Sequence, residues 1–337
     1  MSSMPLKLLL VGDVMLGRLV NDILKTNPPI YPWGDTLPIF QDADVRVCNL
    51  ECAITDRGMP WSATPKAFHF RTDTKNVAVL RAAQINAVSL ANNHILDFEY
   101  EGLFDTVQAL KQAGIHAAGA GATLREASEP AIWEERGLKL GFMACTDNEP
   151  AWASSMTRPG VWYVPTWLQD ERAHDLFEVV QRTKVEVACL IVSLHWGPNW
   201  GEVPPPEHRQ MAHALIDHGA DIVYGHSCHV VRAIEVYKNR PIIYGAGNFI
   251  DDYAIDEVER NDQSAIFLLD LQGTMISRMR LYPTIIDHFQ ARRARNDECK
   301  AVVTKMQKLC TQLQTATIWN EQEACLEVKI NSIPDTV

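Results

Sequence analysis

Runs of apolar residues that end abruptly in Gly, Asp, Asn or His alternate along this chain with stretches whose apolar positions recur every three or four residues. The first pattern predicts buried strands, the second amphipathic helices. Leu6 to Val14 is β-rich and carries Gly12-Asp13 near its end, and Ala43 to Asn49 repeats the pattern before Leu50-Glu51. A helical stretch around Val77 to Ala83 leads to a third strand, Asn86 to Leu90, which delivers Ala91-Asn92-Asn93-His94. Gly102 to Ala113 has helical spacing, with Gly114 as its stop. Ala131 to Cys145 reads as a hairpin turning at Arg136-Gly137, and Thr166 to Thr183 as a second helix. Val185 to Leu194 is apolar but for Glu186 and Ser193, the sign of a strand covered on both faces, and it ends at His195-Trp196-Gly197. Pro204-Pro205-Pro206-Glu207 opens a helix that runs to Gly219, since proline needs no amide donor in a first turn and an acid complements the helix dipole there. Asp221 to Tyr224 leads into Gly225-His226-Ser227-Cys228-His229, and further strands pass through Tyr244, Leu269 and Leu281. A helix from about Asp297 and a strand, Cys325 to Ile330, close the pattern. Such alternation predicts an α/β layered sandwich. We divide it into a main domain, 1–290, and a C-terminal helix and strand, 291–337, packed on it.

Composition narrows the partners more than the fold. The 337 residues are 47% hydrophobic, enough for a sizeable core. The net charge of -11 sets the surface against nucleic acid and anionic membranes. The apolar run Leu8 to Val11 is too short for a signal-peptide core, and no segment approaches about 18 uncharged apolar residues. The expectation is a cytoplasmic protein with no membrane and no nucleic-acid partner, its oligomeric state open. The 8 cysteines form no CxxC pair, and Cys48 and Cys52 are expected to pack rather than react.

Ligand-type residues stand at the ends of successive predicted strands: Asp13, then Asn49 and Glu51, then Asn93 and His94, then His195, then His226 and His229. In open α/β sheets such ends form the crevice where ligands bind. Singly, each is ordinary turn or structural chemistry. Together, Asp13, Glu51, Asn93, His195, His226 and His229 make a mixed nitrogen and oxygen shell for one or two divalent ions, Mn, Fe, Zn or Mg.

The ordered set Gly12-Asp13-Val14-Met15-Leu16-Gly17-Arg18, Asn49-Leu50-Glu51, Asn92-Asn93-His94, His195-Trp196-Gly197, Gly225-His226-Ser227-Cys228-His229 and Gly247-Asn248-Phe249 resembles the CapA/PgsA-type capsule (poly-γ-glutamate) synthesis family over about residues 6–290. That family is similar to the calcineurin-like metallophosphoesterases. The resemblance implies a fold of that type with the metal site at strand C-terminal ends. It implies that Asp13 and His229 bind a first metal, that Asn93, His195 and His226 bind a second, and that Glu51 bridges them. His94 would donate a proton to the leaving group or hold an oxyanion. The chain departs from the superfamily at Met15, where a histidine is usual, and in the spacing of His226 and His229. One tight ion and one exchangeable ion are therefore expected.

The implied activity is hydrolysis of a phosphoester or related bond by water that the cations acidify, with Asp13, Glu51 and His94 as catalytic residues. The family name equally implies a γ-glutamyl amide as the bond, or a non-enzymatic accessory role in polymer synthesis. A small anionic or polymeric substrate would meet Arg18, Lys66, Arg71 and Arg232, since arginine's fork matches carboxylate and phosphate. Asp147, Asn148 and Trp196 are further pocket candidates, with Asn199 and Trp200 beside them. Asp251 and Asp252 are candidates to support a metal-binding histidine. His208, His213 and His218 are expected to be solvated.

Overall fold

Alternation along the first strand settles how the layers stack. In β1 (Leu6–Val14), Leu6, Leu8 and Leu10 face one apolar core while Leu9 and Val11 face another, so both sides are covered. The structure, a computed structural model, describes residues 5–330; residues 1–4 of the amino-terminal reading and 331–337 of the C-terminal segment lie outside them. β2 (Val45–Leu50), β3 (Ala87–Ser89) and β4 (His116–Ala118) continue parallel to β1.

The chain then builds a second sheet from β5 (Ala131–Glu135), β6 (Leu138–Thr146), β7 (Cys189–His195), β8 (Ile222–His226), β9 (Ile234–Tyr237) and β10 (Arg240–Ile243), in the order β9-β10-β8-β7-β6-β5. It returns to the first sheet through β11 (Asn248–Ile250), β12 (Gln263–Gln272), β13 (Met275–Asp287), β14 (Gln290–Arg293), β15 (Thr317–Asn320) and β16 (Cys325–Val328), which give β15-β16-β13-β12-β1-β2-β3-β4, with β11 beside the end of β1 and β14 beside β13. The β5–β6 hairpin turns at Arg136 and Gly137, both at positive φ (49° and 79°), as a tight primed turn requires.

The sheets pack face to face: Leu8 and Leu10 of the first share a core with Phe142, Ile191 and Tyr224 of the second. The outer face of the second sheet, with Leu190, Val192 and Leu194, lies under α2 (Glu171–Lys184) and α3 (Pro206–Asp217). The outer face of the first lies under α1 (Glu99–Ala113), through Leu103 and Leu110. The fold is thus a layered α/β sandwich. The second helix begins at Glu171 rather than Thr166 because the Asp170 side chain caps it through the Arg172 amide. α4 (Asn296–Gln312) adds Val302, Met306 and Cys310 to the inter-sheet core, and β15 and β16 extend the first sheet. Among the described residues no helix is long and apolar enough to cross a membrane.

Candidate metal centre

Register, more than sequence, assembles the site. On the first sheet Asp13 lies opposite Asn49 on one side and Asn248 on the other. On the second, His195 lies opposite His226. Gly12 allows the close approach this needs, since a Cβ there would stand 1.7 Å from the Gly247 carbonyl oxygen. The Tyr224 hydroxyl donates to the Val11 carbonyl, tying the two sheets together just below the cluster.

The oxygen ligands are buried and poorly partnered. Asn49 Nδ2 donates to Asp13 Oδ1 (2.8 Å), and Asn49 is itself held by Asn92 Nδ2 (3.0 Å). Asp13 Oδ2 and both oxygens of Glu51 are buried without a hydrogen-bond donor. The nitrogens crowd against them: His195 Nδ1 and His226 Nδ1 stand 2.8 Å apart, while His226 Nδ1 and His229 Nδ1 lie 3.8 and 3.7 Å from Asp13. Neighbours orient the three rings. Ser193 Oγ lies 2.8 Å from His226 Nε2, and Asn93 Oδ1 lies 3.1 Å from His195 Nε2. Asn248 Oδ1 lies 2.9 Å from His229 Nδ1. Ser227 and His229 hold positive φ (95° and 60°), a strained geometry that persists only where surroundings impose it.

Burial pushes Asp13 and Glu51 above the usual carboxylate range, His229 opposing the shift at Asp13 and Asp13 adding to it at Glu51. The same burial holds His195 well below its ordinary value, with His226 adding to the effect, and takes His226 down to about 3. Carboxylates and imidazoles so placed fit a cation. Ligating atoms of Asp13, His195 and His226 lie within 4.8 Å of one another, as do those of Asp13, Glu51 and His229. Three buried carboxylate oxygens without donors would cost several kcal/mol per ion if left uncompensated. The two groups share Asp13, whereas the family resemblance gives the bridging position to Glu51. Met15 turns into the apolar core, its sulfur near the Gly17 amide (3.0 Å).

Beside the cluster, His94 Nδ1 is 2.6 Å from Asp97 Oδ2 and its Nε2 is 4.0 Å from Glu51, so the free nitrogen faces the carboxylates. Its ring stacks on Phe70 at 4.0 Å. Burial lowers the His94 pKa against the opposing pull of Asp97. A cleft of about 510 Å³ opens here, lined among others by Arg18, Lys66, Asn93, His94, His229 and Trp200.

Several predicted pocket residues stand elsewhere. Trp196 is buried, donating to the Tyr244 carbonyl (3.1 Å) and stacking on His208. His208 is therefore a core residue rather than a solvated one, because the proline-started helix lays it against that indole. Arg232 is buried and donates to the carbonyls of Gly201 and Trp200, so it clamps a loop. Arg71 lies over Phe98 at 4.5 Å. Asp147 accepts from the Gly197 amide (2.9 Å) and Asn148 Nδ2 donates to the His195 carbonyl (3.3 Å), both bracing the backbone behind His195. Asp252 pairs with Arg18, and Asp251 is a buried acid that desolvation raises to about 8; support of a histidine falls to Asn248. Strand-end patterning does not single out Asp97, Ser193, Phe70 or Tyr253. The acid three residues after His94 and the lone hydroxyl in an apolar strand are the available signals.

A layered α/β sandwich whose strand ends converge on a buried acid and imidazole cluster defines the class. Residues 7–253 match the family model for the bacterial capsule synthesis protein PGA_cap, and the chain belongs to that family. A probable polyglutamine synthesis accessory protein of Mycobacterium tuberculosis is 36% identical, over 85% of this chain and 86% of its own length. The capsule biosynthesis protein CapA of Bacillus anthracis is 25% identical, over 97% and 78%. The PGA biosynthesis protein CapA of Bacillus subtilis is 28% identical, over 72% and 62%. A hypothetical protein from Thermus thermophilus superposes with a TM-score of 0.49 at 17% identity, over 82% of this chain and 98% of its own.

Proposed function

We propose that the chain is a metal-dependent hydrolase that cuts a phosphoester or related bond. The observation that carries this reading is the set of donorless carboxylate oxygens, Asp13 Oδ2 and Glu51 Oε1 and Oε2, buried against His195, His226 and His229. Asp13, His195 and His226 would hold one divalent cation, with Asn93 beside them, and Asp13, Glu51 and His229 a second. When bound, such cations acidify water and offset charge on the reacting oxygens. Asp97 fixes the ring of His94 so that Nε2 faces the cluster, where it can pass a proton to the leaving group. Phe70 stacks on that ring and helps exclude water from it.

A second reading keeps the site and changes the bond to a γ-glutamyl amide; the polyglutamine and PGA synthesis names of the relatives favour it. Metal analysis of protein purified without chelator, joined to turnover of a phosphomonoester, a small phosphodiester and a γ-glutamyl anilide, tests both. At least one bound equivalent with turnover of one substrate is expected. Metal-free protein that stays inert when Mn²⁺ is supplied would sink the hydrolase.

A further inference from the structure

We propose that Arg18 is the receptor for an anionic group of the substrate, a carboxylate or a phosphate carried next to the bond that is cut. The inference rests on the reading of the cluster as a hydrolytic site and adds the substrate class. Two cations line the cleft, Arg18 and Lys66. Lys66 is already engaged: its ammonium donates to the Asn93 carbonyl (2.6 Å) and pairs with Glu149 (3.2 Å) and Asp97 (3.5 Å). It holds the Asn93-His94 loop in place.

Arg18 is built differently. Among the described residues its Nε pairs with Asp252 Oδ2 at 3.1 Å, while its two terminal nitrogens, the fork that matches an oxyanion, donate to no protein group. Asp252 is in turn fixed by the Leu19 amide (2.9 Å) and its side chain is fully buried, so the anchor is rigid. The guanidinium lies 5.4, 5.9 and 6.0 Å from the ring centroids of Phe70, Phe68 and Tyr253, aromatic faces that hold a planar cation without neutralising it. Its side chain remains 37% exposed. The backbone of Arg18 sits at φ 51°, unfavourable for a residue with a Cβ and kept only where the surroundings impose it. Phe70 touches both groups: it lies under the Arg18 guanidinium and stacks on His94. An oxyanion on the free fork would thus stand one aromatic ring from the proposed proton donor.

The test compares full-chain, Mn²⁺-loaded wild type with Arg18→Gln and Arg18→Lys on matched substrates. One pair is a γ-glutamyl anilide and its α-methyl ester; the other is a phosphodiester with and without a second, terminal phosphate. Arg18→Gln should lower kcat/KM by about 10- to 10²-fold, mostly through KM, for the member carrying the extra anion and by less than about 2-fold for its neutralised partner. The pair that shows the split identifies carboxylate or phosphate as the ligand. Arg18→Lys should restore part of the loss, since charge remains without the fork. Equal losses within both pairs would overturn the proposal. If wild type turns over none of the four, the hydrolase reading fails separately, and calorimetric titration with glutarate and with inorganic phosphate decides this one. Binding weakened about 10-fold or more by Arg18→Gln supports it, and equal binding, or none to wild type, overturns it.

Discussion

The first sheet and the loops that follow its strands bring oxygens to the cluster, through Asp13, Glu51 and Asn93, while the second brings nitrogens, through His195, His226 and His229. Both halves are buried by the same inter-sheet core, yet burial acts on them in opposite senses. It favours the protonated carboxylates on one side and the neutral imidazoles on the other. Neither half is a comfortable interior alone. The contrast shows why a cation suits the seam: it favours deprotonated carboxylates and accepts neutral imidazoles in one step.

Removing the nitrogen half should have the largest effect. His195→Ala or His226→Ala should release metal and abolish turnover while leaving circular dichroism unchanged, since the strands that carry them are buried by apolar neighbours on both faces. Full occupancy in both variants, read by elemental analysis, would remove them from the shell. His94 offers a finer cut, because it lies beside the two candidate groups and outside both. His94→Gln should keep its metal and lose about 10²-fold in rate. Metal loss in that variant would make His94 a ligand.

The smallest effect sharpens the comparison through stability in chelator. A carboxylate whose folded pKa is raised contributes most below its unfolded value, near 4, and loses that contribution as pH rises. An imidazole whose folded pKa is depressed contributes above about 6.5 and loses it as pH falls, in the case of His226 down to about 3. At pH 8 the Glu51 side chain must either be buried charged or take up a proton, and Glu51→Gln removes that cost, so it should raise the melting temperature of metal-free protein at pH 8 by about 2 °C or more, and by less at pH 5. Adding Mn²⁺ should reverse the ranking at pH 8. A variant that melts below wild type in chelator at pH 8 would mean that the Glu51 carboxylate is compensated by something other than metal.

Much of this was legible before folding. The apolar run of β1 and its Gly12-Asp13 end, the buried strand ending at His195, and the Gly225 to His229 loop all read directly from patterning, because strands covered on both faces have few polar positions. The side on which a residue just past a strand end falls was not legible. Trp196 and Arg232 lie beside ligand-type residues in sequence, yet Trp196 packs under α3 on the second sheet's outer face and Arg232 turns into a loop, where indole and guanidinium find carbonyl partners. The five-residue spacing of His208, His213 and His218 carries no sign that α3 lays His208 against Trp196.

By itself the sequence determined the kind of atoms at each strand end, and with them the family, since those follow from residue identity and local period. Only the tertiary structure decided which atoms share a centre. Asp13 rather than Glu51 stands in both groups, Asn248 rather than Asp251 or Asp252 orients His229, and Arg18 rather than Lys66 keeps its donors free. Each of these depends on register between strands and on the packing of two sheets, which are set by contacts between residues far apart in the chain and leave no trace in local pattern.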